Sequence, residues 1–242
     1  MIETIHDHTV HPRYLGSQSH VLDLGANYGL FAKAVTARFG CRCIAVEPSP
    51  EPFAAIVETS LISKLQAAAA SQSGTVPFHV APDSVFSSLY RTSEVIRVIE
   101  VAAISFPDLF DLVGVNPLDL LKMDIEGAEI ELLNTCPPSI LQQIRQISVE
   151  FHDHCDLTPA SEVRSTLARL HRLGFFSVRM SRNGHHDTWL INRNLCDIST
   201  AELKFIEYIA PTWMGIRRVA RRQLRRVLQR PSGSCVRRSM DN

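Results

Sequence analysis

Of 242 residues only six are cysteine, and they stand apart at Cys41, Cys43, Cys136, Cys155, Cys196 and Cys235. With no Cys-x-x-Cys pair there is no framework for a zinc knot or a disulfide scaffold, so reduced thiols are expected. Net charge is lacking too, twenty-five basic residues meeting twenty-five acidic ones. That balance argues against a chain devoted to nucleic acid, and no nucleic-acid partner is expected. No apolar run approaches the length of a membrane span. The opening MIETIHDHTV has neither the charged nor the apolar stretch of a secretory leader. A cytoplasmic protein is expected. The GxGxxG turn of dinucleotide-binding folds is also missing.

What remains is an ordinary globular composition in a chain long enough for one large α/β domain. Strand-like runs alternate with helix-like ones from His20 onward, the pattern of a mostly parallel sheet with helices on both faces. Strands are expected over Val21–Gly25, Arg42–Pro48 and Leu65–Ala70. Helices are expected over Leu30–Phe39 and from Pro50 or Pro52 to about Ile62. Thr75–Val80 and Arg97–Ala102 alternate like half-exposed strands, with a polar loop holding Ser87 and Ser88 between them. A helix over Phe106–Val113, a buried strand over Asp119–Met123 and a helix over Ile125–Leu133 follow. Then come a strand at Gln146–His152, a helix from Thr158 or Pro159 to Gly174, and an antiparallel pair, Phe175–Met180 with Thr188–Asn192, around Asn183-Gly184. The expected organisation is a short extension (1–17), one α/β domain (18–195), a basic helical tail (196–230) and a disordered end (231–242).

Chemistry concentrates where packing does not ask for it. LLKMDIEGAEIELL, Leu120 to Leu133, is an apolar strand that runs into Asp124, Glu126, Gly127 and Glu129 before a helix. One acid and a glycine would serve the turn and the N-cap, so the excess of carboxylate at a strand end points to a site. Upstream, VLDLGANYG puts Gly25 and Gly29 in the turn between first strand and first helix, and Glu47 ends the second strand. The first glycine permits an unusual backbone angle and the second a close approach of ligand. The acid suits the ribose hydroxyls of a nucleoside. This pairing is common to nicotinamide enzymes and to methyltransferases that use S-adenosylmethionine.

The segments VLDLGANYGLFA, AVEPSPEPF, KLQAAAASQSGTVPFHV, LLKMDIEGAEIELL and ISVEFH, in that order, resemble the FkbM family of S-adenosylmethionine-dependent methyltransferases over about residues 18 to 192. The most specific element is KMDIEGAE. The resemblance implies a class I methyltransferase fold, Rossmann-like, with a C-terminal antiparallel strand pair. It also implies O-methylation of a hydroxyl on a sugar, glycolipid or secondary metabolite, so a small-molecule or glycan acceptor is the expected partner. Asp23, Gly25, Asn27, Gly29, Glu47 and Ser71 are the residues expected at the cofactor, with Asn27 toward its methionine end. Where the family often has an acid after the third strand, this chain has Ala70, Ser71, Gln72, Ser73 and Gly74, which leaves backbone or amide contacts for the adenine.

A hydroxyl acceptor must lose a proton, to a base or with the help of a metal. His152, at the end of the strand beside KMDIEGAE, is the expected base, with Asp124 and Glu126 orienting the acceptor. A divalent cation on those two acids is open, but one turn supplies too few ligands to predict it. FHDHCD, Phe151 to Asp156, lacks the spacing of a transition-metal site. His185 and His186 read as surface residues, Lys122 as a partner for the carboxylates, and Glu129 as a helix-terminus acid. IRRVARRQLRRVLQR, Ile216 to Arg230, reads as a basic amphipathic helix with Trp213 near its start, suited to peripheral contact with an anionic membrane face or to docking on residues 1–200, where twenty-two acids face fifteen basic residues. Two other functions fit parts of the pattern, a nicotinamide-dependent oxidoreductase and a non-catalytic membrane-associated module.

Overall fold

The computed structural model describes residues 1–80, 97–153, 159–181 and 184–209. Ser87 and Ser88, the second half of FHDHCD, Asn183, Trp213 and the whole basic stretch lie outside the described residues.

A hairpin of β1 (Glu3–Ile5) and β2 (His8–Val10) comes first. The central sheet takes β3 (His20–Leu24), β4 (Arg42–Val46) and β5 (Ile62–Leu65), with α1 (Leu30–Phe39) and α2 (Pro50–Ala55) between them. A separate three-stranded sheet then forms from β6 (Ala68–Ala70), β7 (Gly74–Val80) and β8 (Arg97–Ser105), followed by α3 (Phe106–Val113). The chain returns to the central sheet as β9 (Leu118–Met123), α4 (Glu129–Thr135), α5 (Pro138–Leu141), β10 (Ile144–Val149), α6 (Ala160–Arg172), β11 (Phe175–Arg179) and β12 (Thr188–Asn192). Across the central sheet the order is β11-β12-β10-β9-β3-β4-β5, and β12 alone runs against the rest. This is the mostly parallel sheet with a closing antiparallel pair that the class I expectation describes. The chain winds outward in opposite directions from β3 and β9, so a crevice opens at their carboxyl ends, where open α/β sheets bind ligands.

Period-two burial sets the two faces. Leu22, Leu24, Leu121 and Met123 face one way, into a core closed by Phe106 and Leu109 of α3, Leu132 and Leu133 of α4, and Val163 and Leu170 of α6. Val21, Cys43, Ala45 and Leu120 face the other, against Phe31, Ala32 and Val35 of α1 and Val10 of the hairpin. The same face carries a polar row, because register sets Asp23 beside Lys122 and Lys122 beside Ser148.

Three elements differ from expectation, each for a local reason. The helix after Pro50 ends at Ala55, since Thr59 Oγ1 accepts from the N–H groups of Leu61 and Ile62 and turns the chain into β5. The run Leu65–Ala70 is split between β5 of the central sheet and β6 of the small one. The helix expected from Ile125 begins only at Glu129, because Glu126 and Gly127 both adopt positive φ, 54° and 104°.

The hairpin is tied down by polar contacts to late parts of the chain. Thr9 donates from N and Oγ1 to Asp187, and the N–H of His11 donates to Gln146 Oε1. Residues 200–209 are helical and add Leu203 and Ile206 to a third cluster with Ile2, Trp189 and Ile191. Glu202 of that helix pairs with Arg13 at 2.9 Å and His11 at 3.2 Å. Burial opposes the Glu202 charge, but the hydrogen bonds from Arg13 and His11 outweigh it and hold the carboxyl below its ordinary range. A carboxyl depressed by folding stabilises the docked state above its unfolded value of about 4.3, and that contribution is lost as pH falls through the folded value. Acidification to about pH 3 should therefore raise amide exchange at Leu203 and Ile206, and Glu202→Gln should remove that step. Unchanged acid dependence in Glu202→Gln would refute the tie.

Candidate active site

The glycine turn is held from both sides. The N–H groups of Gly25 and Ala26 both donate to the Val46 carbonyl at 3.0 Å, and the Asp124 N–H donates to the Leu24 carbonyl at 3.1 Å. Gly25 has φ 72°, and a Cβ there would lie 1.7 Å from the carbonyl oxygen of Asp124. Only glycine fits where β3 passes β9. Gly29, at φ 71°, caps the start of α1, and a Cβ on it would press on Ile56 at 3.2 Å. Its open side therefore faces Ile56, so the close approach it permits is between protein segments.

Glu47 is buried beside this turn and accepts from the N–H groups of Asn27 and Ser49, both at 2.8 Å. Burial pushes its carboxyl up, and those two donors offset the shift in part. Beneath the turn, Lys122 Nζ lies 3.0 Å from Asp23 Oδ1 and donates to the carbonyls of Leu24 and Gly25 at 3.2 and 2.6 Å. Burial works against the ammonium, but Asp23 and Asp124 outweigh it and raise Lys122 above its ordinary range. Asp23 is thus buried under the loop and faces Lys122.

The acids of KMDIEGAE converge with His152. His152 Nε2 is 3.2 Å from Glu126 Oε2 and 3.7 Å from Asp124 Oδ1, while its Nδ1 is 3.1 Å from Glu129 Oε1. Burial disfavours the imidazolium, yet Glu129, Glu126 and Asp124 outweigh that and raise His152 to about 10. Burial pushes Glu126 up to about 8, offset in part by His152 and reinforced by Asp124. Burial would also raise Asp124, but Lys122, His8 and His152 hold it well below the usual carboxylate range. Glu150 is raised to about 7 by burial and by Asp124.

Asp124, Glu126 and His152 are therefore brought together at one side of the crevice, and Gly25, Asn27, Gly29 and Glu47 at the other. Ser71 stands apart in its contacts, donating to Glu131 of α4 at 2.6 Å beside a groove shared with Gln72, Ala128 and Leu132. Asp153 turns away from His152 to bind His185, so the described half of FHDHCD does not converge on one point. His186 is half-buried and 3.5 Å from Glu150.

Glu129 is the helix-terminus acid that the sequence suggests and more than that, while His8 was not foreseen. Glu129 is fully buried, and it accepts from the N–H groups of Ile125 and Gly127 as well as meeting His152. It organises the turn and the histidine together. Its spacing to Gly127 was visible, but not its link to a residue on another strand. His8 of β2 is buried with Nε2 3.8 Å from Asp124 Oδ2. Nothing in the first ten residues signals that approach.

A fully parallel dinucleotide sheet has the order 3-2-1-4-5-6. Here an antiparallel seventh strand, β12, lies between the fifth and sixth, β10 and β11, so the fold is that of a Rossmann-like methyltransferase of class I. Residues 23–176 match the methyltransferase FkbM domain, and the chain belongs to that family of enzymes. It is 25% identical over 198 residues to the methyltransferase sdnD of Sordaria araneosa, covering 66% of this chain and 76% of that one. It is also similar to a crystal structure of a methyltransferase FkbM from Methylobacillus flagellatus KT, with TM-score 0.49 and 11% identity over 73% of this chain, and it spans 44% of that chain. A further similarity is to M. capricolum TrmK in complex with S-adenosylhomocysteine, with TM-score 0.40 and 11% identity over 79% of this chain and 70% of that chain. Family membership sets aside the oxidoreductase and the non-catalytic module. Among the described residues no helix is long and apolar enough to cross a membrane.

Gly25→Ala should cost roughly 3 kcal/mol, or about 6–12 °C in Tm, because the added methyl meets backbone on a neighbouring strand. Gly16, which has nothing within 4 Å of a built Cβ, is the control, and Gly16→Ala should shift stability by less than about 0.5 kcal/mol. Equal melting of the two variants would contradict the close crossing of β3 and β9.

Proposed function

We propose that the enzyme transfers a methyl group from S-adenosylmethionine to a hydroxyl of a small acceptor of the sugar, glycolipid or secondary-metabolite type. One observation carries this reading. The glycine turn with Glu47 and the acid cluster with His152 flank the same crevice between β3 and β9. The cofactor flank suits the group. Glu47 keeps lone pairs free for two ribose hydroxyls after accepting two backbone N–H groups. Asn27 Oδ1 is buried with no hydrogen-bond partner, as an atom awaiting the methionine end would be. When bound, the cofactor supplies a sulfonium methyl already activated for in-line displacement.

The chain's own groups then align the acceptor and remove its proton. Asp124, charged and partly open to solvent, would accept from a neighbouring hydroxyl of the acceptor and so orient the reacting oxygen. Glu126, accepting from the hydroxyl that is to react, would take its proton as the methyl group is transferred. His152 is hydrogen-bonded to Glu129 through Nδ1 and has Nε2 3.2 Å from Glu126 Oε2, and with its pKa raised to about 10 it serves as the charged, fixed partner of Glu126. The proton acceptor thus moves from His152 to its neighbour. The basic stretch 216–230 is proposed as a contact with an anionic surface when the acceptor is a lipid.

Calorimetry with S-adenosylhomocysteine should give one binding event, and Glu47→Ala should weaken it by about tenfold to a hundredfold for the loss of charged hydrogen bonds. No heat from the wild-type protein would end this reading. Glu126→Gln and His152→Ala should each lower kcat by about 10²–10⁴ while cofactor affinity stays within about twofold. Equal losses in both quantities would place the two residues in cofactor binding.

A further inference from the structure

We propose that His8, Asp124 and Glu150 form a binding site for one divalent cation of the magnesium or manganese type, at the acceptor side of the crevice. Each offers one donor atom, and the three lie within 4.8 Å of one another. In an octahedral shell with bonds of about 2.1 Å, adjacent ligands are about 3.0 Å apart and opposite ones about 4.2 Å. His8 Nε2 and Asp124 Oδ2, 3.8 Å apart, already fall in that span. The donors come from three elements, two neighbouring strands and the hairpin. Asp124 and Glu150 follow the ends of the neighbouring parallel strands β9 and β10, and the Glu150 N–H donates to the Met123 carbonyl at 2.9 Å. The hairpin brings His8 over them.

His8 is oriented as a ligand. Its Nδ1 is 3.3 Å from Ser148 Oγ, and its ring stands edge-on to Phe31 at 5.5 Å, which leaves Nε2 aimed at Asp124. A partner on one ring nitrogen that fixes the other is the usual support of a metal-binding histidine. The side chains of Asp124 and Glu150 are 29% and 28% exposed, so the site is open on one side, where waters or an acceptor oxygen can complete the shell. Two hard carboxylates with open positions for water suit magnesium or manganese, the single imidazole is tolerated best by manganese, and without a thiolate the set is not that of a closed structural zinc site.

The neighbouring donors Asp124, Glu126 and His152 also lie within 4.8 Å of one another. They are the poorer choice, because His152 spends both nitrogens on carboxylates and already supplies the cation of that half. Two further groups face the proposed site. Lys122 Nζ is 3.9 Å from Asp124 Oδ2, but Asp23 at 3.0 Å answers its charge. His186 Nδ1 is 3.5 Å from Glu150 and stands outside the three donors. The cation would acidify an acceptor hydroxyl beside Glu126. That role rests on the methyl-transfer reading, whereas binding of the ion does not.

The test is a manganese titration of untagged full-length protein without cofactor, followed by loss of the free-ion electron paramagnetic resonance signal. One equivalent should bind, with a nitrogen coupling from imidazole in the echo-modulation spectrum. His8→Gln should weaken binding at least about tenfold and remove the nitrogen coupling, and Glu150→Gln should weaken it similarly. Circular dichroism of the metal-free variants checks folding, and Glu150→Gln decides if His8→Gln does not fold. Absence of stoichiometric binding at millimolar manganese would overturn the site. So would binding that survives in His8→Gln and vanishes in His152→Ala. Calorimetry with S-adenosylhomocysteine in the same preparation separates the two readings, since each ligand can fail without the other.

Discussion

The ammonium of Lys122 is the point on which the crevice is built. It sits between the first and fourth strands of the central sheet, within reach of Asp23 and of two carbonyls of the glycine turn. Register alone puts Asp23 and Lys122 side by side on parallel strands, so the pair forms wherever the sheet forms. A buried ion pair gains little net stability, but breaking one by removing a single partner typically costs about 3–5 kcal/mol. Its value here is positional. The same nitrogen that holds the backbone of the cofactor turn lies 3.9 Å from Asp124, so the two flanks of the crevice share one fixed charge.

Around that charge the acids divide into two halves with different electrostatics. In one, His152 lies between Glu129 and Glu126, and its positive charge is met on both sides inside the protein. In the other, Asp124 and Glu150 are partly open to solvent, with His8 and His186 beside them. Asp124 belongs to both halves through its two oxygens. A carboxylate in that position couples the protonation of the closed half to whatever occupies the open one.

Much of this was legible before the fold was known. Leu30–Phe39 and Phe106–Val113 carry helical spacing between glycine or serine caps and glycine stops, and α1 and α3 have those limits. The glycine turn, Glu47 and the KMDIEGAE acids were readable because an excess of function-bearing residues at strand ends has no packing explanation. The start of α4 was not, because the turn at Glu126 and Gly127 takes positive φ and Glu129 folds back onto the N–H groups of Ile125 and Gly127, an arrangement without periodicity. Membership of Glu129 and His152 in one hydrogen bond could not be read either, since one starts a helix and the other lies beyond a strand end 23 positions on. The hairpin was opaque for the same reason, since His8, Thr9 and His11 are polar and find their partners more than a hundred residues away.

Those separations also determine when the site comes into being. β2 rests on β10 and β12, and Thr9 is bonded to Asp187, 178 positions along the chain. During synthesis the residues that close over Asp124 emerge before their partners and must wait for Asp187, just ahead of the antiparallel strand β12. Non-local contacts of this kind form late. The acids lie within one stretch of chain from β9 to the end of β10, whereas His8 is held over them by a hairpin tied to Asp187 beyond that stretch. The arriving hairpin is thus a check on completeness, and a partly made chain carries the acids without their histidine cover.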